Sequence, residues 1–223
     1  MRGVFVTGTD TGVGKTVVAG AICAALAARG ERIAAFKPVV TGTDDPPGDW
    51  PSDHELLATA ASAGQTAAEV TPVTFSPPVS PHYAAELAGT RIDAEQLRDA
   101  ACATSANVDA LVCEGVGGLL VPLTPDYSVR DLAGDLGLPL VVVGRTGLGT
   151  INHTLLTVEA ARAAGLRVAG IVMTPWPEHP EPIERSNRET VERLSGVAVS
   201  ALPPATATTL AAAGAALPLD DWL

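Results

Sequence analysis

Short apolar runs rich in β-branched residues alternate with Ala- and Leu-rich segments along most of the 223-residue chain. The run LPLVVV is apolar throughout, which is typical of a strand buried on both faces of a parallel sheet. The predicted strands cover residues 4–7, 32–36, 110–113, 140–143, 168–173 and 197–202, and the predicted helices cover residues 16–29, 53–63, 92–104, 129–136, 150–164 and 182–194. This alternation predicts one α/β domain over residues 1–223, doubly wound around a mainly parallel sheet.

Three segments fall outside the alternating pattern. The Pro-, Asp- and Gly-rich segment 43–52 predicts a long surface loop, because Asp-Pro-Pro-Gly can continue neither a strand nor a helix. Segment 71–83 predicts an irregular crossing, and the final LPLDDWL predicts a terminal strand or a packed tail. The three cysteines, at positions 23, 102 and 113, lie in apolar segments and are predicted to be small core residues.

The charge balance argues against several classes of partner. The chain carries 14 Lys and Arg against 25 Asp and Glu, a formal net charge of −11. Proteins that coat nucleic acids or bind anionic membranes usually carry the opposite sign, so neither partner is expected. No run of 18 apolar residues occurs, and the first residues, MRGVFVTG, lack the apolar core of a signal peptide. We therefore expect a cytoplasmic protein.

A glycine loop follows the first predicted strand directly. Residues 8–16 read GTDTGVGKT, and a predicted apolar helix comes next. Glycines let backbone N–H groups converge on phosphate oxygens, and the helix N-terminus adds a partial positive charge. Lys15 would reach the β- and γ-phosphates, and the Thr16 hydroxyl would bind Mg²⁺. Although the loop is one residue longer than the usual spacing, the pattern predicts a P-loop NTPase-like nucleotide site.

Further polar residues follow the ends of neighbouring predicted strands. Lys15 and Lys37 are the chain's two lysines, and Lys37 follows the second predicted strand. Glu114 follows the third predicted strand, and Asp53 opens a predicted helix. Ligands of open α/β sheets bind at the carboxyl ends of the strands, so these side chains are candidates for one site. A solvated surface charge for Lys37 and simple helix capping for Asp53 remain the alternatives.

Five motifs occur in order along the chain: GTDTGVGKT, FKPVVTG, SDHELL, CEGVGGLLVPL and LGTINHTLLTVEA. Together they resemble the dethiobiotin synthetase family, the ATP-dependent cyclo-ligases of biotin synthesis, over residues 3 to about 203. The longer phosphate loop is typical of that family. The resemblance implies that an amine of 7,8-diaminononanoate is carboxylated with CO₂ or bicarbonate. The carbamate then takes the γ-phosphate of ATP, and the second amine closes the ureido ring to give dethiobiotin, ADP and phosphate.

The resemblance also implies a role for individual residues. The catalytic residues would be Lys37, Lys15 and Thr11, and the Mg²⁺ ligands would be Thr16, Asp53 and Glu114. The nucleotide would contact Gly12, Val13, Gly14, Lys15, Thr16, Val17, Asp53, Glu114, Gly117, Thr174, Pro175, Pro203, Pro204 and Ala205. The diamine would contact Lys37, Thr41, Gly118, Thr150, Ile151 and Asn152. The last three begin a helix whose free N–H groups would bind the substrate carboxylate across the interface of a homodimer.

Two positions depart from the pattern of the family. Gly12 stands where many relatives carry a glutamate, so a contact from that side chain is absent. Many relatives place an asparagine that reads adenine after the strand that matches 168–173, where this chain has Thr174 and Pro175. A threonine offers one hydroxyl in place of an amide, and proline has no N–H. We therefore expect that nucleoside triphosphates other than ATP compete for the site.

Two other classes of protein share parts of this pattern. A nucleotide switch of the partitioning-ATPase type would carry an extra lysine early in the phosphate loop, where this chain has Thr9, Asp10 and Thr11. Such switches also often end in an amphipathic membrane-binding helix, whereas this chain ends in an acidic segment. The synthetase part of a cobyrinate-type amidotransferase would need a glutaminase domain, for which 223 residues leave no room. The switch is therefore the main alternative to the ligase.

Overall fold

The computed structural model describes residues 1–44 and 50–223. The strands of these segments are β1 Gly3–Gly8, β2 Ile33–Phe36, β3 Val39–Thr41, β4 Val73–Phe75, β5 Ala110–Gly118, β6 Pro122–Thr124, β7 Tyr127–Ser128, β8 Leu140–Gly144, β9 Val168–Met173 and β10 Val199–Ala201. The helices are α1 Lys15–Ala28, α2 Asp53–Ala60, α3 Ala67–Val70, α4 Pro81–Leu87, α5 Ala94–Thr104, α6 Val129–Leu136, α7 Thr150–Ala163, α8 Pro182–Ser195, α9 Leu210–Gly214 and α10 Leu219–Trp222.

A six-stranded sheet in the order β10-β9-β8-β1-β5-β2 forms the centre of the molecule. Every neighbouring pair in this sheet is parallel, so the carboxyl ends of all six strands meet at one edge. The order reverses around β1, which makes the sheet doubly wound. The structure therefore confirms the predicted α/β class and all six predicted strands.

Helical layers cover both faces of the sheet. Alternate residues of β1 point to opposite layers: Val4 and Val6 pack with the layer of α1, while Phe5 packs with the layer of α6. All three side chains are fully buried. Because both faces are covered, the central strands are apolar at consecutive positions, as the sequence pattern indicates.

The structure corrects several predictions outside the central sheet. Segment 71–83 contains β4, which pairs with β3 in a separate parallel ribbon beside the end of β2. The C-terminal segment forms the short helix α10, with Trp222 buried, so the prediction of a strand is wrong and that of a packed tail is confirmed. Cys102 is exposed on α5, whereas Cys23 and Cys113 are buried as predicted. Within the predicted loop 43–52, residues 45–49 lie outside the described residues.

No helix in the described part of the chain is both long enough and apolar enough to cross a membrane.

Candidate active site

The phosphate loop runs from the end of β1 to the start of α1. Gly14 is the N-cap of α1 and has φ 96°, a left-handed conformation that suits glycine. A Cβ at this position would lie 2.7 Å from Thr174 Cγ2, so glycine also keeps the loop in contact with the end of β9. Gly14 has no side chain to cap the first N–H groups of α1. These groups are therefore free to bind an anion.

Both lysines are buried near this loop. The Lys15 Nζ atom donates a hydrogen bond to the Asp10 carbonyl oxygen at 2.9 Å, which folds the side chain back over the loop. Lys37 follows β2 and donates hydrogen bonds to Glu114 Oε1 at 2.7 Å and to the Asp53 carboxylate. Only 4% of Lys37 is exposed, so the solvated surface charge considered from the sequence is wrong. Lys37 instead bridges two acidic side chains.

The register of the sheet explains the contact between Lys37 and Glu114. In the β2–β5 pair, Phe36 lies opposite Cys113, so the next residue of each strand reaches the same edge. Glu114 Oε1 also accepts a hydrogen bond from the Thr16 hydroxyl at 2.9 Å. Glu114 lies within β5, which runs to Gly118, beyond the predicted end of the strand at Cys113, so this bond connects the end of β2 and the middle of β5 to the first turn of α1.

Asp53 lies in the first turn of α2. Ser52 occupies the N-cap position, and its N–H and hydroxyl donate to Glu55 Oε2 at 3.1 and 2.7 Å. The end of the helix is therefore organised by Ser52 and Glu55, which leaves the Asp53 carboxylate for Lys37. Asp53 is thus not the cap of its helix.

Burial and charge shift the pKa values of these groups in opposite directions. Burial raises the pKa of Glu114, and the Lys37 ammonium only partly offsets this. Burial alone would lower the pKa of Lys37, but the Glu114 and Asp53 carboxylates outweigh it and hold that pKa above its usual value. Burial lowers the pKa of Lys15 despite the nearby carboxylates. Lys37 is therefore a fixed ammonium at neutral pH.

The oxygen atoms at this point fit a magnesium ion. Within the described segments, Glu114 Oε2 is buried and has no hydrogen-bond partner. The Thr16 hydroxyl donates a hydrogen bond to Oε1, the other oxygen of the same carboxylate. Mg²⁺ prefers hard oxygen ligands and usually takes one or two carboxylates together with water and phosphate oxygens. The Thr16 hydroxyl and the carboxylates of Asp53 and Glu114 provide such a set.

A cleft of about 680 Å³, here called the main cleft, opens above these residues. Its polar lining residues, here called the polar wall, include Gly12, Gly14, Lys15, Thr16, Asp53 and Glu114. Its apolar lining residues, here called the apolar wall, include Val39, Val40, Pro78, Val79, Val116 and Val121. Lys37 lines the same cleft, and its ammonium contacts Glu114. Phosphate-loop residues, apolar residues and one buried ammonium group therefore share this cleft.

Comparison with known proteins identifies the family. A family model described as an AAA domain matches residues 2–210. The ATP-dependent dethiobiotin synthetase BioD of Anaeromyxobacter dehalogenans is 46% identical over 195 residues, which cover 87% of this chain and 86% of that protein. The BioD of Bacillus subtilis is 37% identical over 204 residues, which cover 92% of this chain and 87% of that protein. The chain belongs to the dethiobiotin synthetase family.

Solved structures with more distant sequences share the fold. A ParA family ATPase from Chlorobium tepidum has a TM-score of 0.56 at 13% identity and covers 97% of this chain and 92% of its own. The MinC:MinD cell division protein complex of Aquifex aeolicus has a TM-score of 0.58 at 13% identity, with 99% and 93% covered. At these identities the likeness shows only a common P-loop NTPase-like fold.

The main cleft brings together most of the residues that the family resemblance singled out. The residues of that set that line the cleft are Thr11, Gly12, Gly14, Lys15, Thr16, Val17, Lys37, Thr41, Asp53, Glu114 and Gly117. Val13 lies in the same loop with its side chain in the core. The apolar wall was missed from the sequence, as were Trp50, Pro51, Leu56, Ser80 and Pro81. Apolar residues in short loops look like ordinary packing residues in the sequence, because they line one cleft only when the chain is folded.

The residues proposed to contact the base lie at the ends of β9 and β10, next to the phosphate loop. The Thr174 N–H donates to the Gly144 carbonyl at 3.1 Å, and the Thr174 side chain is buried against Gly14. The Trp176 N–H donates to the Leu202 carbonyl at 2.7 Å, which holds residues 174–176 beside the segment that begins at Pro203. Pro175, Pro203 and Pro204 are exposed, and Ala205 is half-buried.

Gly118 and the start of α7 lie outside the main cleft. Gly118 instead lines a second cleft of about 470 Å³, here called the side cleft, together with Thr9, Asp10, Leu120, His153 and Leu156. Gly149 is the N-cap of α7 and provides no side-chain cap, and Asn152 is exposed. Thr150 and Ile151 turn inward, since Thr150 is buried and Ile151 packs against the core. Within one chain, this helix start does not line the cleft that contains Lys37.

Proposed function

We propose that this chain is an ATP- and Mg²⁺-dependent cyclo-ligase that converts 7,8-diaminononanoate and CO₂ into dethiobiotin, with ADP and phosphate as the other products. Membership of the dethiobiotin synthetase family makes the chain an ATP-dependent ligase. The observation that carries the finer proposal is the position of Lys37. Its buried ammonium lines the same cleft as the phosphate loop and the apolar residues, and it contacts the Glu114 carboxylate.

The two walls match the two substrates in chemistry. A triphosphate would bind the polar wall, where the phosphate loop, Lys15 and the uncapped start of α1 offer N–H groups and positive charge. The aliphatic chain of the diamine would lie along the valines of the apolar wall. Its amines would then reach Lys37 and the phosphate loop. Although the chain is acidic overall, it can bind the anionic triphosphate, because the local electric field of the cleft matters more than the net charge of the protein.

The first step would join one amine nitrogen of the diamine to the carbon of CO₂. A proton leaves the nitrogen for water, and a carbamate anion forms. The pKa of Lys37 is held above its usual value, so this residue keeps its proton and cannot serve as the base. We assign to it the binding of the carbamate oxygens, whose negative charge it stabilises.

In the second step a carbamate oxygen would attack the γ-phosphorus, and the bond to ADP would break. Lys15 and the N–H groups around Gly14 hold the phosphate oxygens in place, and Thr11 lies beside the transferred group. Thr16, Asp53 and Glu114 would hold Mg²⁺, which would supply positive charge to the triphosphate. In the third step the second amine attacks the carbamoyl carbon. Phosphate leaves with the bonding electrons, the amine loses a proton to water, and the ureido ring closes.

We further propose that two copies of the chain form a homodimer and complete each other's sites. The start of α7 does not reach the main cleft of its own chain, and its N–H groups lack a side-chain cap. Such a helix start binds a carboxylate. Leu120 and Leu156 are more than half exposed at the side cleft next to this helix, as expected for a surface that a second copy covers.

The test is the dependence of ATP turnover on each substrate. The purified protein is incubated with MgATP, 7,8-diaminononanoate and ¹³C-bicarbonate, and each component is left out in turn. We expect phosphate release only in the complete mixture, together with a product whose mass shows one ¹³C in dethiobiotin. Slow hydrolysis of ATP that is independent of the diamine would contradict the proposal and favour a nucleotide switch.

A further inference from the structure

The loop that leads into α7 is held by two side chains from α8. The Asn187 Nδ2 atom donates hydrogen bonds to the carbonyl oxygens of Thr146 at 2.9 Å and Gly147 at 3.0 Å. One turn earlier, Glu184 Oε1 accepts a hydrogen bond from the Thr146 hydroxyl at 3.0 Å. Asn187 is 6% exposed, so both of its donated bonds are shielded from water. Two successive peptide units of the loop are therefore fixed to one amide group.

These bonds act directly on the start of α7. The Gly147 carbonyl that accepts from Asn187 also accepts from the Thr150 N–H at 3.3 Å. The Thr150 hydroxyl donates to the Arg145 carbonyl at 2.6 Å, which closes the loop on itself. The first residue of α7 is thus held by the same carbonyl that Asn187 holds. A shift of that carbonyl would tilt the N–H groups of the helix start.

The choice of an amide at position 187 suits this task. Asparagine provides two N–H donors from one nitrogen and carries no charge. An aspartate would face two carbonyl oxygens with no donor, and it would add a negative charge beneath a helix start that is to bind an anion. A leucine of similar volume would leave the Thr146 carbonyl without this partner. Asn187 therefore orients the helix start without altering its charge.

We propose that Asn187 is a positioning residue that sets the affinity for the substrate carboxylate. Through the 145–149 loop it orients the N–H groups of Ile151 and Asn152 toward the cleft of the other subunit, while the Thr150 N–H holds the loop through the Gly147 carbonyl. This inference rests on the proposed function, which supplies the carboxylate and the dimer. Asn187 itself does not touch the substrate.

The experiment compares two diamines in the holoenzyme with saturating MgATP and bicarbonate. One is 7,8-diaminononanoate, and the other is 2,3-diaminooctane, which has the same diamine end and no carboxylate. In Asn187→Leu we expect the KM for 7,8-diaminononanoate to rise about 10-fold, because misaligned N–H groups bind the anion less well. The kcat, the KM for ATP and the KM for 2,3-diaminooctane should stay within about twofold.

The control is Arg185→Gln on the same helix. The Arg185 Nε atom donates to the Pro180 carbonyl at 3.0 Å, so this variant also removes a bond from α8 to a backbone oxygen but leaves the 145–149 loop alone. Its KM values for both diamines should match the wild type. Should Asn187→Leu fail to fold, Asn187→Ser replaces it, since serine is too short to reach both carbonyls.

The outcomes separate this inference from the proposed function. If the wild type is active and a folded Asn187 variant has the same ratio of the two KM values as the wild type, only this inference is overturned. An equal rise in both KM values would assign Asn187 a general structural role and also overturn it. A wild type that turns over neither diamine would overturn the proposed function, and the inference with it.

Discussion

The Lys37 Nζ atom lies 2.7 Å from Glu114 Oε1, although the two residues are 77 positions apart in the chain. Glu114 is fully buried, and Lys37 is nearly so. Water cannot stabilise either charge, so each depends on the other and on Asp53 and Thr16. The pair is therefore both a part of the proposed site and a structural contact that joins β2 to β5.

A first prediction concerns the stability of this buried pair. Lys37→Gln removes the ammonium and leaves the Glu114 carboxylate buried without a cation in contact. We expect it to lower the free energy of unfolding by about 3–5 kcal/mol, since breaking a buried pair leaves an uncompensated charge. The double variant Lys37→Gln/Glu114→Gln should recover most of this loss. Urea unfolding without nucleotide and with a chelator measures both, and equal midpoints for the single and double variants would contradict the prediction.

The same loss should depend on pH. Burial raises the pKa of Glu114 even with Lys37 present, and removing Lys37 should raise it further. For a group whose folded pKa is raised, the stabilising effect is present below the unfolded pKa and is lost as pH rises through the folded pKa. The difference between the single and double variants should therefore be larger at pH 8 than at about pH 4.5. A difference that is equal at both values would show that Glu114 does not titrate in this way.

A second prediction concerns the contact between the phosphate loop and β9. Gly14→Ala would place a Cβ 2.7 Å from Thr174 Cγ2 on a backbone with φ 96°. We expect this variant to bind MgATP at least about 10-fold more weakly, because the loop must shift to relieve the contact. Adding Thr174→Ser removes the methyl group and should restore part of the affinity but not the backbone strain. Calorimetric titration measures each dissociation constant, and wild-type affinity in Gly14→Ala alone would refute the prediction.

A third prediction concerns the choice of base. Thr174 and Pro175 stand where the family resemblance implies an adenine-reading asparagine, and Thr174 is buried against Gly14. The loss of one amide contact is worth about 1–3 kcal/mol, or roughly 5- to 150-fold in discrimination. We therefore expect CTP, UTP and GTP to compete with ATP within that range in the turnover assay. A preference for ATP above about a thousandfold would require an adenine contact elsewhere.

A fourth prediction concerns the shared sites of the dimer. Lys37→Gln should inactivate the cleft of its own chain, and Asn152→Asp should repel the substrate carboxylate from the cleft of the other chain. A mixed dimer of the two variants has one intact site, so subunit exchange should return about a quarter of wild-type activity. The control is each variant exchanged with itself. A fully active monomer in light scattering would rule out shared sites.

The sequence predicts the central sheet well because strands that are buried on both faces are apolar at consecutive positions, which is visible in the sequence. LPLVVV is apolar throughout, since β8 is covered on both faces. The strand-end rule also brings Lys37 and Glu114 to one edge of the sheet, whereas Asp53 opens a helix and joins the site only through the family resemblance. Both features follow from the α/β fold class, which the alternation of strands and helices predicts.

Features that depend on contacts between distant residues, or on very short elements, could not be predicted from the sequence. On α5, Leu97 and Ala101 are four residues apart and buried, whereas Cys102 follows one residue later and is rotated by about 100° to the exposed face. Strands β3 and β4 have three residues each, too few for a periodic signal. The apolar wall of the main cleft combines residues from several loops, and the clamp of Asn187 on the 145–149 loop spans 40 positions. Such contacts carry no local pattern.

The central claim is that the Lys37 ammonium stabilises the carbamate oxygens, and its most direct test is the turnover of Lys37 variants. With saturating 7,8-diaminononanoate, bicarbonate and MgATP, the account predicts that Lys37→Gln loses at least about 100-fold in kcat. The folded fraction should still bind MgATP. Lys37→Arg should retain the charge yet recover little activity, because a planar guanidinium cannot place it at the same point. Near-normal turnover by folded Lys37→Gln would contradict the account.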